Sequence, residues 1–219
     1  MRLVLFAVSS PYAAEAVETA ARLGWEIAAC VRNVDGPPIP PEVADVVEAD
    51  ELDAELLAVP FTVPLTTPGH RYAATADARS RGFARQAVLV DPTAVVAASA
   101  TLGEGAYVNA RAIVGAGVQA GRSCSANRGA SIGHHNILGD YVSVGPGAVT
   151  GGGCRIATGA FLGVGATLAP EVAVGANAVV GAGAVVVDDV PDGTVVVGNP
   201  ARVLRHGPGH GGVSVPADG

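Results

Sequence analysis

The chain is 219 residues long, carries a formal net charge of −7 and contains no lysine, so that all thirteen basic residues are arginine. With no basic cluster it does not read as a nucleic-acid binder, and with no apolar run near the ~20 residues of a membrane span it does not read as a membrane protein. Its three cysteines, Cys30, Cys124 and Cys154, have neither disulfide nor metal-ligand spacing, which suits a reducing compartment.

The opening MRLVLFAVSS is too short an apolar run for a secretory leader and reads as a first strand, so a cytoplasmic location is expected. Strands over 3–7, 27–31 and 61–65, helices over 13–23 and 70–82, and an acidic loop after the second strand predict a small Rossmann-like α/β unit spanning residues 1–87, its parallel sheet covered by helices. The turn after the first strand, Val8-Ser9-Ser10-Pro11-Tyr12, lacks the glycines that let a diphosphate approach a helix N-terminus. Ser9 and Ser10 remain as helix caps, or as hydroxyls that an anionic acceptor could meet.

Composition changes near residue 88. Only Gly24, Gly36, Gly69 and Gly82 of the 30 glycines come before it, whereas 19 of the 33 charged residues do. From Val96 to Val186, every sixth residue keeps one register, almost always aliphatic, and a small residue stands two places before each. Glycine or asparagine usually follows, which suits a corner at positive φ. A helix would repeat near 3.6 residues and would not tolerate so much glycine. Short strands joined by identical corners, forming an all-β solenoid over residues 88–206, account for the period. The Gly/Pro-rich stretch 207–219 is expected to be a disordered tail.

One position breaks the small-residue column: Asn136, preceded by Ile132-Gly133-His134-His135. At a coil length of 18 residues, His134 has Ala98, Ala116, Gly152 and Pro170 as neighbours, which places it beside a groove. The stretch Asn127-Arg128-Gly129-Ala130-Ser131-Ile132-Gly133-His134, followed by Ile137-Leu138-Gly139-Asp140 and ending in Val197-Gly198-Asn199-Pro200-Ala201-Arg202, resembles the sialic-acid O-acetyltransferase and nucleotide-aminosugar N-acetyltransferase family of left-handed β-helix enzymes. The likeness runs from about Val90 to Arg205.

That resemblance implies a left-handed β-helix of triangular coils, a homotrimer with sites in the clefts between subunits, and acetyl-CoA as acyl donor. It implies His134 as the general base that deprotonates an amine or hydroxyl, and the Gly152 N–H as oxyanion donor one coil further on. It also implies contacts of the donor with Val164, Ala182, Arg202 and Arg205, and of the acceptor with Asn127 and Ser143. The N-terminal unit would bind the acceptor, a small molecule such as a nucleotide-linked amino sugar. Two positions depart from the family's pattern: His135 follows the base where an acidic residue is usual, and Ser143 stands where another histidine is frequent. A zinc carbonic anhydrase on the same helix would need three histidines at a subunit interface, whereas only His134 and His135 lie in the repeats, where adjacent extended residues point apart. A non-catalytic scaffold is the other alternative, and N- and O-transfer both stay open.

Overall fold

A computed structural model describes residues 1–34 and 46–217, and the 35–45 part of the acidic loop lies outside the described residues. In the N-terminal unit β1 (Arg2–Phe6) pairs in parallel with β2 (Glu26–Arg32) and β4 (Phe61–Thr62), and β3 (Val46–Glu48) extends the sheet beyond β2. Alternation along β1 sends Leu3 and Leu5 to one face, with Ala13, Ala16 and Ala20 of α1 (Ala13–Arg22), and Val4 and Phe6 to the other. There they meet α3 (Pro68–Ser80) through Ala74 and Ala78, beside the edge-on rings of Phe61 and Phe83. β3 and a short α2 (Ala54–Ala58), whose cap Asp53 accepts from the Leu56 N–H at 2.8 Å, were not expected from the pattern, and the strand expected over 61–65 is only two residues long.

From β5 (Leu89–Val90) to β21 (Val185–Val186) the chain forms two-residue strands six residues apart, sorted into three parallel sheets. Partners lie 18 residues apart, as in Ser125↔Ser143, Ile113↔Ser131 and Gln119↔Ile137, so one coil of the triangular prism is 18 residues and advances ~4.8 Å. Strands β8 (Tyr107–Val108), β11 (Ser125–Ala126) and β14 (Ser143–Val144) lie on a first face, β9 (Ile113–Val114) and β12 (Ser131–Ile132) on a second, and β10 (Gln119–Ala120) and β13 (Ile137–Leu138) on a third. Both expected columns point inward: Val114, Ile132, Leu138, Ile156, Leu162 and Leu168 are buried with Ala112, Ala130, Ala148 and Ala166 between them. Each large aliphatic so buried stabilises the prism by ~1.5–3 kcal/mol.

The corner glycines have a different reason from the one expected. Positive φ falls two places later, at Gly117, Ser123, Gly129, His135, Tyr141, Gly147 and their equivalents. The glycine directly after the aliphatic is there because coils touch: a Cβ on Gly133 would sit 2.4 Å from the Gly151 carbonyl oxygen, and one on Gly151 would sit 2.5 Å from the Pro170 nitrogen.

The N-terminal unit covers the first face. Arg71 of α3, almost wholly buried, donates to the carbonyls of Leu65, Ser123 and Tyr141 and to Ser143 Oγ at 2.6–2.9 Å, with no carboxylate against it among the described residues. On the α1 side, buried Asp91 accepts from Arg22 Nε (2.7 Å) and Thr19 (3.0 Å), and the Tyr107 hydroxyl donates to the Glu15 carbonyl. Of the stretch 207–219, expected to be a disordered tail, the described residues run to Ala217 and contacts are made as far as Val215. Val215 is buried and exchanges two hydrogen bonds with the Asn177 side chain, and the His210 ring stacks on Phe161 at 3.7 Å, because apolar and aromatic anchors are spaced among the glycines.

Candidate active site

The corner between β12 and β13 carries His134 and His135, both exposed. One and two coils away, His134 has Ala98, Ala116, Gly152 and Pro170 as neighbours, and His135 has Ser99, Gly117, Gly153 and Glu171. The two histidines do not point apart as expected for an extended pair. His135 takes a left-handed φ of +56°, which brings its Nδ1 to 3.1 Å from His134 Nδ1. The His135 ring then leans toward the preceding coil, where a Cβ on Gly117 would be 2.9 Å from it.

His134 leans the other way, over Gly152: a Cβ there would lie 2.4 Å from Nε2. When His134 Nδ1–H donates to His135 Nδ1, the lone pair of His134 is on Nε2, which faces Gly152 and the open edge. The Gly153 N–H donates to the His134 carbonyl at 2.9 Å, which locks the two corners in register. The Gly152 N–H has no acceptor among the described residues. A proton acceptor and an unpaired amide donor side by side are what acyl transfer requires. Gly152→Ala is therefore expected to push the His134 ring aside and cost ~10²-fold in rate, because small misplacements of a base are that costly. Rate assays beside thermal melts would show activity falling without a matching loss of stability.

The other expected contacts do not gather around His134 within one chain. Val164 and Ala182 lie exposed at corners between the first and second faces, on the far edge of the second face from His134. Asn127 is on that same edge and buried, its Oδ1 accepting from the Arg128 N–H at 2.8 Å, while Arg128 pairs with Glu15 of α1. Ser143 is buried under the N-terminal unit, where it donates to the Thr66 carbonyl (2.7 Å) and accepts from Arg71, so its hydroxyl serves domain docking. Arg202 and Arg205 are exposed on the end strand β23 (Arg202–His206), which pairs antiparallel with β22 (Thr194–Val197). Among the described residues no three His, Cys, Asp or Glu side chains gather as a metal site.

A second concavity, about 540 Å³, opens at the C-terminal ends of β1 and β2 and is lined by Ser9, Asn33, Leu65, His70 and Asp77. Asn33 Nδ2 donates to Asp77 at 3.0 Å, and its Oδ1 is buried with no partner among the described residues. Ser10 is used locally, its Oγ accepting from the Tyr12 N–H at 3.3 Å. Asn33, His70 and Asp77 were missed in the sequence, although the rule that ligands bind beyond the carboxyl ends of parallel strands points to Asn33.

A prism of hexapeptide coils with a histidine at an open corner above a glycine defines the class of left-handed β-helix acyltransferases. No protein-family model and no curated protein matches the sequence. Among solved structures the chain is similar to PerB from Caulobacter crescentus, in complex with CoA and GDP-perosamine, at 31% identity and a TM-score of 0.81 over 93% of this chain and 97% of that one. It is also similar to the acetyltransferase domain of PglB from Neisseria gonorrhoeae, in complex with acetyl coenzyme A, at 31% identity and a TM-score of 0.82 over 93% and 98%. WeeI from Acinetobacter baumannii, at 22% identity and a TM-score of 0.76 over 93% and 100%, shares the fold. The chain belongs to the nucleotide-aminosugar N-acetyltransferase family of hexapeptide-repeat enzymes.

Proposed function

We propose that the protein transfers an acetyl group from acetyl-CoA to the amine of a nucleotide-linked sugar, by direct attack and with His134 as general base. The observation that carries this reading is the His134 ring lying against Gly152, whose N–H has no acceptor among the described residues, at an open edge. The solved enzymes at similar identity hold CoA together with GDP-perosamine, or acetyl-CoA, and one is a histidine-to-asparagine variant.

In this reading the acceptor nitrogen forms its bond to the thioester carbonyl carbon while Nε2 takes the amine proton. The Gly152 N–H receives the oxyanion that develops, a type of donor worth ~10²- to 10³-fold in rate. The intermediate then collapses, the C–S bond breaks, and the departing CoA sulfur takes the proton back from His134. His135 holds the imidazole in the tautomer that leaves Nε2 free, with a neutral hydrogen bond in place of a carboxylate.

The donor contacts at Val164 and Ala182 require a second copy, because they lie on the opposite edge of the second face from His134. That face presents Val95, Ile113, Ser131, Val149, Thr167 and Val185 outward, without a charge, which fits self-association into a trimer with a cleft between neighbouring prisms. Arg202 and Arg205 then serve the CoA phosphates. Light scattering is expected to give three times the monomer mass at micromolar concentration, and a monomer would contradict the shared site.

The cavity beyond β1 and β2 suits the nucleotide, with the Asn33 carbonyl oxygen available to a base N–H. An acyl-CoA donor, a nucleotide-sugar acceptor and three buried free cysteines support a cytoplasmic setting. CoA thiol release with matched nucleotide-linked sugars tests the acceptor: turnover is expected with the amino sugar and not with its hydroxyl counterpart. Turnover confined to the hydroxyl sugar would replace N-transfer by O-transfer.

A further inference from the structure

The prism interior is apolar along both inward columns with two exceptions, Asn136 in the small-residue column and Thr150 in the aliphatic column. They come from different columns and successive coils, yet they meet: Asn136 Nδ2 donates to Thr150 Oγ1, and both side chains are buried. The same Thr150 oxygen accepts from the Gly133 N–H at 3.0 Å, and Asn136 Oδ1 accepts from the Cys154 N–H at 2.7 Å.

These bonds end at four points that bracket two corners. Gly133 and Asn136 flank His134 and His135, and Thr150 and Cys154 flank Gly151, Gly152 and Gly153. In comparable corners the closing bond runs within the turn, as from the Ala148 N–H to the Gly145 carbonyl (3.1 Å) or from Ala160 to Ala157 (3.1 Å). At Cys154 the amide is held instead by a side chain of the coil carrying the histidines. Stability alone does not call for this, because the other coils close with aliphatic and small residues at the same columns, and apolar replacements of buried polar groups are often neutral or stabilising.

We infer that Asn136 and Thr150 are positioning residues, an internal clamp that fixes the His134 corner against the Gly152 corner and so sets the spacing between base and oxyanion donor. Neither side chain touches the groove, so the effect passes through the backbone. The inference rests on His134 as the base and goes beyond it by adding two residues buried inside the prism.

The test compares Thr150→Val, Thr150→Ser and the double variant Asn136→Ala/Thr150→Val with the wild type, reading kcat, the KM for acetyl-CoA and the melting temperature. The double variant gives the interior the composition of its neighbouring coils and is expected to melt at or above the wild-type temperature, with kcat down ~10-fold or more and the KM for acetyl-CoA within about two-fold. Thr150→Ser keeps the hydroxyl and is expected to retain most of the rate that Thr150→Val loses. Wild-type kcat in the double variant would overturn the proposal, as would failure of both valine variants to fold, which would make the pair a requirement of the prism. Absence of turnover in the wild type itself would instead overturn the acetyl-transfer reading, so the two failures are distinguishable.

Discussion

Replacing His134 by alanine is expected to lower kcat/KM by ~10²-fold or more while leaving the melting temperature nearly unchanged. The imidazole is exposed, its neighbours across the coils are alanine, glycine and proline, and its removal leaves no buried cavity. Stability and activity should therefore separate. His135→Ala should cost less, because it removes only the partner at Nδ1. His135→Glu should place a negative charge beside the base, favour the imidazolium and move the acidic limb of the rate profile to higher pH. Unchanged kinetics in His134→Ala with a proven acceptor would remove this residue from the mechanism.

Arg71→Ala is expected to be the most damaging change to the fold, at roughly 3 kcal/mol or more, equivalent to about 6–12 °C in melting temperature. The guanidinium joins α3 to three stretches of chain, and its loss would orphan the carbonyls of Leu65, Ser123 and Tyr141 inside the domain junction and leave the Ser143 hydroxyl with Thr66 alone. Burial pushes the pKa of Arg71 down to about 10, so the group is still charged at neutral pH, and its acceptors among the described residues are all neutral. Lysine would keep the charge but not the planar fork, and Arg71→Lys should recover only part of the loss. Thermal unfolding of the three proteins would decide it, and an unchanged midpoint in Arg71→Ala would show that the junction does not depend on this residue.

The prism was legible because the six-residue register holds without an insertion, and short strands joined by identical corners account for that period. Its corners were less so. Glycine marks where neighbouring coils touch, while the left-handed conformation falls two places later and is taken by Ser123, His135, Tyr141, Glu171 and Asn177 as well as by glycine, so composition does not reveal it. His134 was named from the resemblance and Gly152 from the resemblance with the 18-residue spacing, but the meeting of His134 and His135 at Nδ1 was not foreseen. Val164 and Ala182, named from the resemblance, stand apart from His134 in one chain, and only the proposed trimer would bring them to it. In the stretch 207–219 the glycines and prolines drew attention, whereas Val215 and His210 make the contacts.

The most direct test is CoA thiol release from acetyl-CoA in the presence of a nucleotide-linked amino sugar, run with wild-type protein beside His134→Ala. Acceptor-dependent release by the wild type, reduced ~10²-fold or more in the variant, is the expected result. Equal release by both proteins, or release that does not depend on the amino sugar, would contradict direct transfer with His134 as the base.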